Sequence, residues 1–90
     1  MKSQKEIRQV MDEVTELVLS KNRQYGDSAL DPINIFAKGD ATQLIRVRID
    51  DKLNRLIQGD DSIEADEDIV KDLMGYLCLL LIAMRRSDAV

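Results

Sequence analysis

The chain has 90 residues, with 13 Lys and Arg residues against 17 Asp and Glu residues, no histidine and one cysteine. This length predicts one domain, residues 1–90, whose single hydrophobic core is only marginally sufficient for a stable fold. The lone Cys78 excludes an intrachain disulfide, and the lack of histidine excludes a Cys/His zinc site, so we expect oligomerisation to reinforce the fold.

The charge and the apolar runs exclude several classes of protein. The net charge is −4, without a block of Lys or Arg, whereas DNA binding by phosphate neutralisation needs a positive face. The longest apolar run, residues 73–84, is shorter than the about 20 residues that span a bilayer. Residues 1–6 lack the apolar stretch of a signal peptide. We therefore expect a cytoplasmic protein without a DNA-binding or membrane-binding surface.

The first element is an amphipathic helix. Ser3 followed by Glu6 matches a capping box, so the helix is predicted to begin just after Ser3 and to end near Gln24, before the turn residues 25–27. Lys21 and Tyr25 continue its apolar stripe, and a lysine in that position either extends to the surface or reaches an anionic group. The apolar stripe consists of Ile7, Val10, Met11, Val14, Leu17 and Val18.

A connector, residues 26–39, separates the first helix from the second and contains the only proline, Pro32. Ile33, Ile35 and Phe36 predict a short helical turn that packs on the bundle. A loop of this length in so small a domain is often functional.

The second helix is predicted to span about Ala41 to Gln58, with Asp40 as its N-cap and Gly59 as its C-terminal stop. Its polar residues Arg48, Asp51 and Arg55 form a flanking stripe, with Lys52 between that stripe and the core. The predicted buried face consists of Ile45, Ile49, Leu53, Leu56 and Ile57.

The third helix is predicted to start between Ser62 and Asp66 and to run to about Arg86, with acids at its start and basic residues at its end, as the helix dipole favours. From Leu73 onward it is apolar nearly all round, so Cys78 and Tyr76 are expected in the core; the alternative for Tyr76 is to stack on a base. Two other helices of modest length cannot cover it, and a partner subunit is the simplest solution. We therefore predict an all-α fold: a small bundle of three main helices plus a short helical turn, completed by oligomerisation.

Acidic residues provide candidate metal ligands. Glu64, Asp68 and Asp72 recur every four residues and at that spacing can share a hard cation such as Mg²⁺; the alternative is a solvated face with acids favoured by the helix dipole. Gly75 continues the stripe and leaves room for a ligand or a neighbouring helix. On the first helix Glu13 borders the apolar stripe and Glu16 points away from it, so Glu13 is the better ligand candidate; the alternative for both is surface charge pairing.

Basic residues provide a candidate phosphate site. Arg48, Lys52 and Arg55 lie on one short stretch of an acidic chain, and arginine grips oxyanions with two parallel hydrogen bonds. The alternative is a lattice of salt bridges along an exposed helix, involving Asp51. The chain has no phosphate-cradling GxxxxGK[ST] or GxGxxG loop, and without histidine it has no Ser-His-Asp or Cys-His machinery.

Several stretches of the chain carry a resemblance to a known family: residues 21–27 (Lys-Asn-Arg-Gln-Tyr-Gly-Asp), Phe36, residues 51–56 (Asp-Lys-Leu-Asn-Arg-Leu), Glu67-Asp68, Asp72-Leu73 and Gly75-Tyr76. Together they resemble the phage-rich family called nucleotide modification associated domain 1, over about residues 6–84. That family is similar in turn to the all-α nucleoside triphosphate pyrophosphohydrolases of the MazG and dimeric dUTPase type, which hold Mg²⁺ with a Glu-x-x-Glu and a Glu-x-x-Asp pair. Glu13 and Glu16 fit the first pair, but Asp68 and Asp72 are four residues apart and do not reproduce the second.

The resemblance implies a helical, oligomeric, nucleotide-handling protein of a phage or prophage, acting in the cytoplasm of a bacterial host. The leading hypothesis is nucleotide binding at a subunit interface; if the protein is an enzyme, the reaction is Mg²⁺-dependent pyrophosphohydrolysis. The alternative is a non-catalytic phage accessory protein that sequesters a nucleotide signal or inhibits a host defence protein. The predicted nucleotide-binding residues are Lys21, Tyr25, Arg48, Lys52 and Arg55, and the predicted Mg²⁺ ligands are Glu13, Asp68 and Asp72.

Overall fold

A computed structural model describes residues 1–88 as three α-helices joined by two connectors. The helices are α1 (Lys2–Tyr25), α2 (Ala41–Gln58) and α3 (Asp66–Asp88), and no strand occurs in this part of the chain. The prediction of a small all-α bundle is confirmed. No helix within residues 1–88 is long and apolar enough to cross a membrane.

Both ends of α2 are fixed by local hydrogen bonds. Asp40 Oδ1 accepts from the Gln43 amide at 2.9 Å, and Gln43 Oε1 accepts from the Asp40 amide at 3.3 Å, which makes a complete capping box. At the other end Gly59 has φ 69°, a left-handed conformation that favours glycine, and its amide donates to the Arg55 carbonyl at 3.1 Å. The predicted bounds of α2 are confirmed.

The start of α1 differs from the prediction. The helix begins at Lys2, its N-cap is Met1, and no side chain caps it. The predicted capping box of Ser3 and Glu6 is therefore wrong: both residues lie inside the first turns, where Ser3 is no longer placed to cap the free amides that follow the N-cap. The helix ends at Tyr25, one residue beyond the predicted end, and Gly26 caps it in a left-handed conformation.

The core lies along α3, which packs more extensively against α2 than against α1; α1 and α2 do not pack on each other in the described chain. The buried apolar residues are Val14, Ile45, Ile69 and Ala83, and of these Ile45 and Ile69 are fully buried. The predicted buried face of α2 is only partly correct, because Leu53 and Ile57 are exposed. Because α2 packs against α3 alone, only part of its stripe of apolar residues is buried.

The connector does not form the predicted helical turn at residues 33–36. Ile33, Ile35 and Phe36 are exposed, Phe36 to 98%, so the prediction that they pack on the bundle is wrong. Asn34 has φ 54°, a left-handed conformation that cannot continue a right-handed helix. The connector instead turns earlier, where the amides of Leu30 and Asp31 donate to the Asp27 carbonyl at 3.1 and 3.0 Å.

The apolar half of α3 is covered on one side only. Leu77, Leu81 and Met84 are exposed, as is Cys78. The prediction that Cys78 is a core thiol is therefore wrong, because α1 and α2 do not cover the side of α3 on which it lies. The expectation that two helices would not cover α3 agrees with this exposure.

Candidate ligand-binding site

A chain of ion pairs joins the three helices. The Nζ atom of Lys21, on α1, lies 2.7 Å from Oδ1 of Asp72, on α3. The Nζ atom of Lys52, on α2, lies 2.9 Å from Oδ2 of the same carboxylate. Asp72 thus pairs with two lysines and ties α1 and α2 to α3. The sequence expectation that Lys21 reaches the surface or an anionic group is resolved: it contacts an anionic group of its own chain.

The chain of ion pairs continues from Lys52 to the segment before α3. Lys52 Nζ donates to Oε1 and Oε2 of Glu64 at 2.9 and 3.1 Å. Arg55 Nη1 also donates to Glu64 Oε2, at 3.2 Å. We call the five residues Lys21, Asp72, Lys52, Glu64 and Arg55 the ion-pair chain. Its middle is well shielded, since the side chains of Lys52 and Asp72 are only 12% and 11% exposed.

The two shielded members have shifted pKa values. Burial by itself would raise the pKa of Asp72, but the hydrogen bonds from Lys21 and Lys52 outweigh it and lower that pKa below its ordinary value of 3.8. Burial by itself would lower the pKa of Lys52, but the hydrogen bonds to Asp72 and Glu64 outweigh it and raise that pKa above 10.5. Both groups are therefore charged at neutral pH.

A pocket of about 70 Å³ opens beside Lys21 and Asp72, between the last turns of α1, the start of the connector, α2 and α3. It brings together four residues of the predicted site: Lys21, Tyr25 and Arg48 from the nucleotide-binding set, and Asp72 from the metal set. By volume it holds a few water molecules and so encloses only part of a nucleotide. The remaining lining residues are Leu17, Val18, Asn22, Asp27, Ser28, Ala29, Lys71, Gly75, Tyr76 and Leu79.

The charges that line this pocket are mostly positive. Lys21, Arg48 and Lys71 contribute three positive charges, against two carboxylates, Asp27 and Asp72. Arg48 is exposed and has no ion-pair partner within 4.0 Å among residues 1–88. A cationic pocket in a chain of net charge −4 favours an anionic ligand.

Two tyrosines and a glycine also line the pocket. Tyr25 is exposed and Tyr76 is half-buried, so the expectation that Tyr76 lies in the core is only partly met. Gly75 is buried, and a Cβ atom there would lie 2.9 Å from Val18 Cγ2. The glycine therefore lets α1 approach α3 closely, which confirms that it leaves room for a neighbouring helix.

Two residues of the predicted phosphate site lie elsewhere. Lys52 and Arg55 do not line the pocket; Lys52 contacts the carboxylates of Glu64 and Asp72, and Arg55 contacts that of Glu64. The predicted lattice along α2 with Asp51 is also not formed within residues 1–88, because the pairs run to Glu64 and Asp72 instead. Sequence reasoning missed Lys71, whose only signal was its place next to Asp72.

The predicted Mg²⁺ ligands are not gathered in one place. Among residues 1–88 no group of three or more Asp, Glu, Cys or His side chains is placed to hold a metal ion. Asp72 has both oxygens on lysines, and Glu13 Oε2 faces Lys71 Nζ at 3.6 Å. Asp68 is exposed, and Glu64 precedes α3, so the predicted carboxylate stripe does not lie on one helix. Within residues 1–88, the carboxylates of one chain are therefore not placed to form a Mg²⁺ site.

The chain was compared with protein-family models, curated proteins and solved structures, and none of them matches it. The function proposed below therefore rests on the pocket and on the ion-pair chain.

Proposed function

We propose that the protein binds a phosphate-bearing nucleotide in the pocket. The observation that carries the proposal is the meeting of three cationic side chains, Lys21, Arg48 and Lys71, with an exposed tyrosine in one cleft of an acidic protein. Three of the five residues predicted from sequence to bind nucleotide line this cleft.

The phosphates are assigned to Arg48 and Lys71. Arg48 is exposed and has no carboxylate partner among residues 1–88, so its guanidinium is free to hold phosphate oxygens with two parallel hydrogen bonds. Lys71 lies 3.6 Å from Glu13, a looser pair than that of Lys21 with Asp72 at 2.7 Å. A phosphate therefore displaces the contact of Lys71 more readily than the contact of Lys21.

The base and the sugar are assigned to the connector side of the pocket. Tyr25 is exposed and lines the pocket, and an aromatic ring there is a group on which a base can stack. Asn22 and Ser28 supply hydrogen-bonding groups beside it. Asn22 Nδ2 already donates to Asp27 Oδ1 at 2.8 Å, which fixes the orientation of the amide.

Binding without hydrolysis fits this arrangement better than Mg²⁺-dependent pyrophosphohydrolysis. Hydrolysis of that kind needs carboxylates grouped around the metal, and Asp72 instead holds two lysines. In the non-catalytic role, a phage accessory protein sequesters a nucleotide in the cytoplasm of its host. That role needs only the cationic pocket. The shielded Asp72 acts here as a positioning residue, because it holds Lys21 at the pocket.

Calorimetric titration with nucleoside mono-, di- and triphosphates and cyclic dinucleotides, with and without Mg²⁺, tests the proposal. The matched pair of variants is Arg48→Ala and Arg46→Ala, since both arginines are exposed on α2 but only Arg48 lines the pocket. We expect Arg48→Ala to weaken binding at least about tenfold, equivalent to about 1.4 kcal/mol, and Arg46→Ala to leave it unchanged. Absence of binding, or equal losses in both variants, contradicts the pocket as the site.

A further inference from the structure

One carboxylate of the pocket has no cation beside it. Asp27 and Asp72 both line the pocket, and Asp72 has a lysine on each oxygen. Asp27 makes no ion pair within 4.0 Å among residues 1–88. Its Oδ1 accepts from Asn22 Nδ2 at 2.8 Å, the one hydrogen bond to that carboxylate in the same part of the chain. Because an ionised carboxylate can accept about four hydrogen bonds, Asp27 retains most of its capacity for a ligand.

The backbone holds Asp27 at the pocket in an unusual conformation. Its φ is 65°, in the left-handed region that few residues other than glycine adopt. The amides of Leu30 and Asp31 donate to its carbonyl at 3.1 and 3.0 Å, and Asn22 holds its side chain. Glycine would adopt this conformation at a lower cost. The chain thus keeps a carboxylate, fixed at both backbone and side chain, where a residue without one would fit more easily.

Asp27 lies on the side of the pocket to which the base is assigned. It follows Tyr25 by two residues, and both line the pocket. Arg48 and Lys71, to which the phosphates are assigned, belong to α2 and α3 instead. A phosphate has the same sign of charge as Asp27 and is repelled by it. A bound nucleotide therefore turns its phosphates away from Asp27 and presents its uncharged part to the carboxylate.

We propose that Asp27 contacts the Watson–Crick edge of the base and makes the pocket selective for guanine nucleotides. Guanine has two adjacent donors on that edge, N1–H and the 2-amino group, which match the two oxygens of one carboxylate. In adenine, cytosine and uracil one of the two adjacent positions is an acceptor, which a carboxylate oxygen repels. The inference rests on the proposed function, because it names the base of a nucleotide bound in the same pocket.

Calorimetric titration of the full chain with GTP, ITP, dGTP and ATP tests the selectivity. The base of ITP differs from guanine only in lacking the 2-amino group. We expect the wild type to bind GTP at least about tenfold more tightly than ITP, because the amino group donates a hydrogen bond to a charged acceptor. ATP should bind more weakly than GTP, since its N1 is an acceptor. We expect dGTP to bind as tightly as GTP, since Asp27 contacts the base and not the ribose.

Asp27→Asn tests whether this carboxylate is responsible. The amide has the same shape and can still accept from Asn22, but it presents N–H donors where guanine also has donors. The affinities of the variant for GTP and ITP should lie within about threefold of each other. Damage to the fold or to the pocket would weaken both nucleotides equally and leave their ratio unchanged. The control is Asp31→Asn, an exposed carboxylate of the same connector outside the pocket, which should retain the wild-type ratio.

The outcomes separate this inference from the proposed function. If the wild type binds GTP and ITP equally, or if Asp27→Asn keeps the preference for GTP, the selectivity is overturned and nucleotide binding at the pocket stands. A preference for GTP over dGTP that disappears in Asp27→Asn would place the carboxylate on the ribose and also overturn the assignment to guanine. If none of the four nucleotides binds, the proposed function and this inference are both contradicted.

Discussion

The pocket and a neighbouring apolar groove, which Met11, Leu19, Leu77 and Cys78 help to line, share residues of α1 and α3 but differ in how far one chain satisfies their side chains. On the pocket side Asp72 has a lysine on each oxygen, and no buried polar side-chain atom of the described residues lacks a hydrogen-bond partner. On the groove side Leu77, Leu81 and Met84 remain exposed. A polar group is satisfied by one or two charged or hydrogen-bonding partners. An apolar helix face is covered only by a large area of neighbouring protein, and a short chain has little protein to supply that area.

The largest effect is expected when a covered and an uncovered residue of α3 that are adjacent in the chain are each changed to alanine. Ile69 is 1% exposed and Val70 is 45% exposed. Ile69→Ala should lower the free energy of unfolding by about 2–5 kcal/mol, because it leaves a cavity in the core. Val70→Ala should change it by less than about 1 kcal/mol, since little contact is lost and alanine favours the helix. Urea unfolding at a concentration where the wild type is monomeric gives both values, and equal losses would mean that Val70 is covered within one chain.

The next largest effect concerns the shielded carboxylate. Asp72→Asn should lower the free energy of unfolding by about 1–3 kcal/mol, because Lys21 and Lys52 each lose a charged hydrogen bond. Asp68→Asn, one turn earlier and exposed, should change it by no more than about 0.5 kcal/mol. Thermal and urea unfolding followed by circular dichroism measure both. A near-neutral Asp72→Asn would mean that the ion-pair chain does not hold the helices together.

A smaller effect is expected in the dependence of stability on pH. The lowered pKa of Asp72 contributes stability that is fully present above 3.8 and is lost as the pH falls through the lower folded-state pKa. The raised pKa of Lys52 contributes stability that is present below 10.5 and is lost as the pH rises through the higher folded-state pKa. Both contributions are therefore constant between these limits.

Melting temperatures recorded from pH 2 to 11 check this dependence. In Asp72→Asn the decline of stability below pH 3.8 should be shallower than in the wild type, while Asp68→Asn should retain the wild-type decline. If stability declined equally steeply below pH 3.8 in the wild type and in Asp72→Asn, Asp72 would have the same pKa in the folded and unfolded states.

The sequence was informative where a feature depends on near neighbours in the chain. Asp40 and Gly59 gave both ends of α2, because caps are formed by residues within one turn. The capping signal at Ser3 failed because the same residue types also occur inside helices. Ile35 and Phe36 suggested packing by their composition, but no element of the described chain lies over them.

Only part of the candidate site could be predicted from the sequence. Lys21 and Tyr25 were predicted because they continue the apolar stripe of α1, and Arg48 because it lies in the basic stretch of α2. All three residues line the pocket. The partner of Lys21 is Asp72, 51 residues further along the chain, a pairing that helical spacing cannot give. For the same reason Lys52 and Arg55, predicted to hold phosphate, contact Glu64, and Lys71 was missed.

The most direct test of nucleotide binding at the pocket is a titration of ¹⁵N-labelled protein with a nucleoside triphosphate, followed by amide chemical shifts. We expect the largest changes at Asn22, Ser28, Ala29 and Arg48, which line the pocket, and small changes at the Lys52 and Arg55 end of the ion-pair chain. Shifts that cluster at Lys52 and Arg55, or no shifts with any nucleotide of the calorimetric panel, would contradict the account.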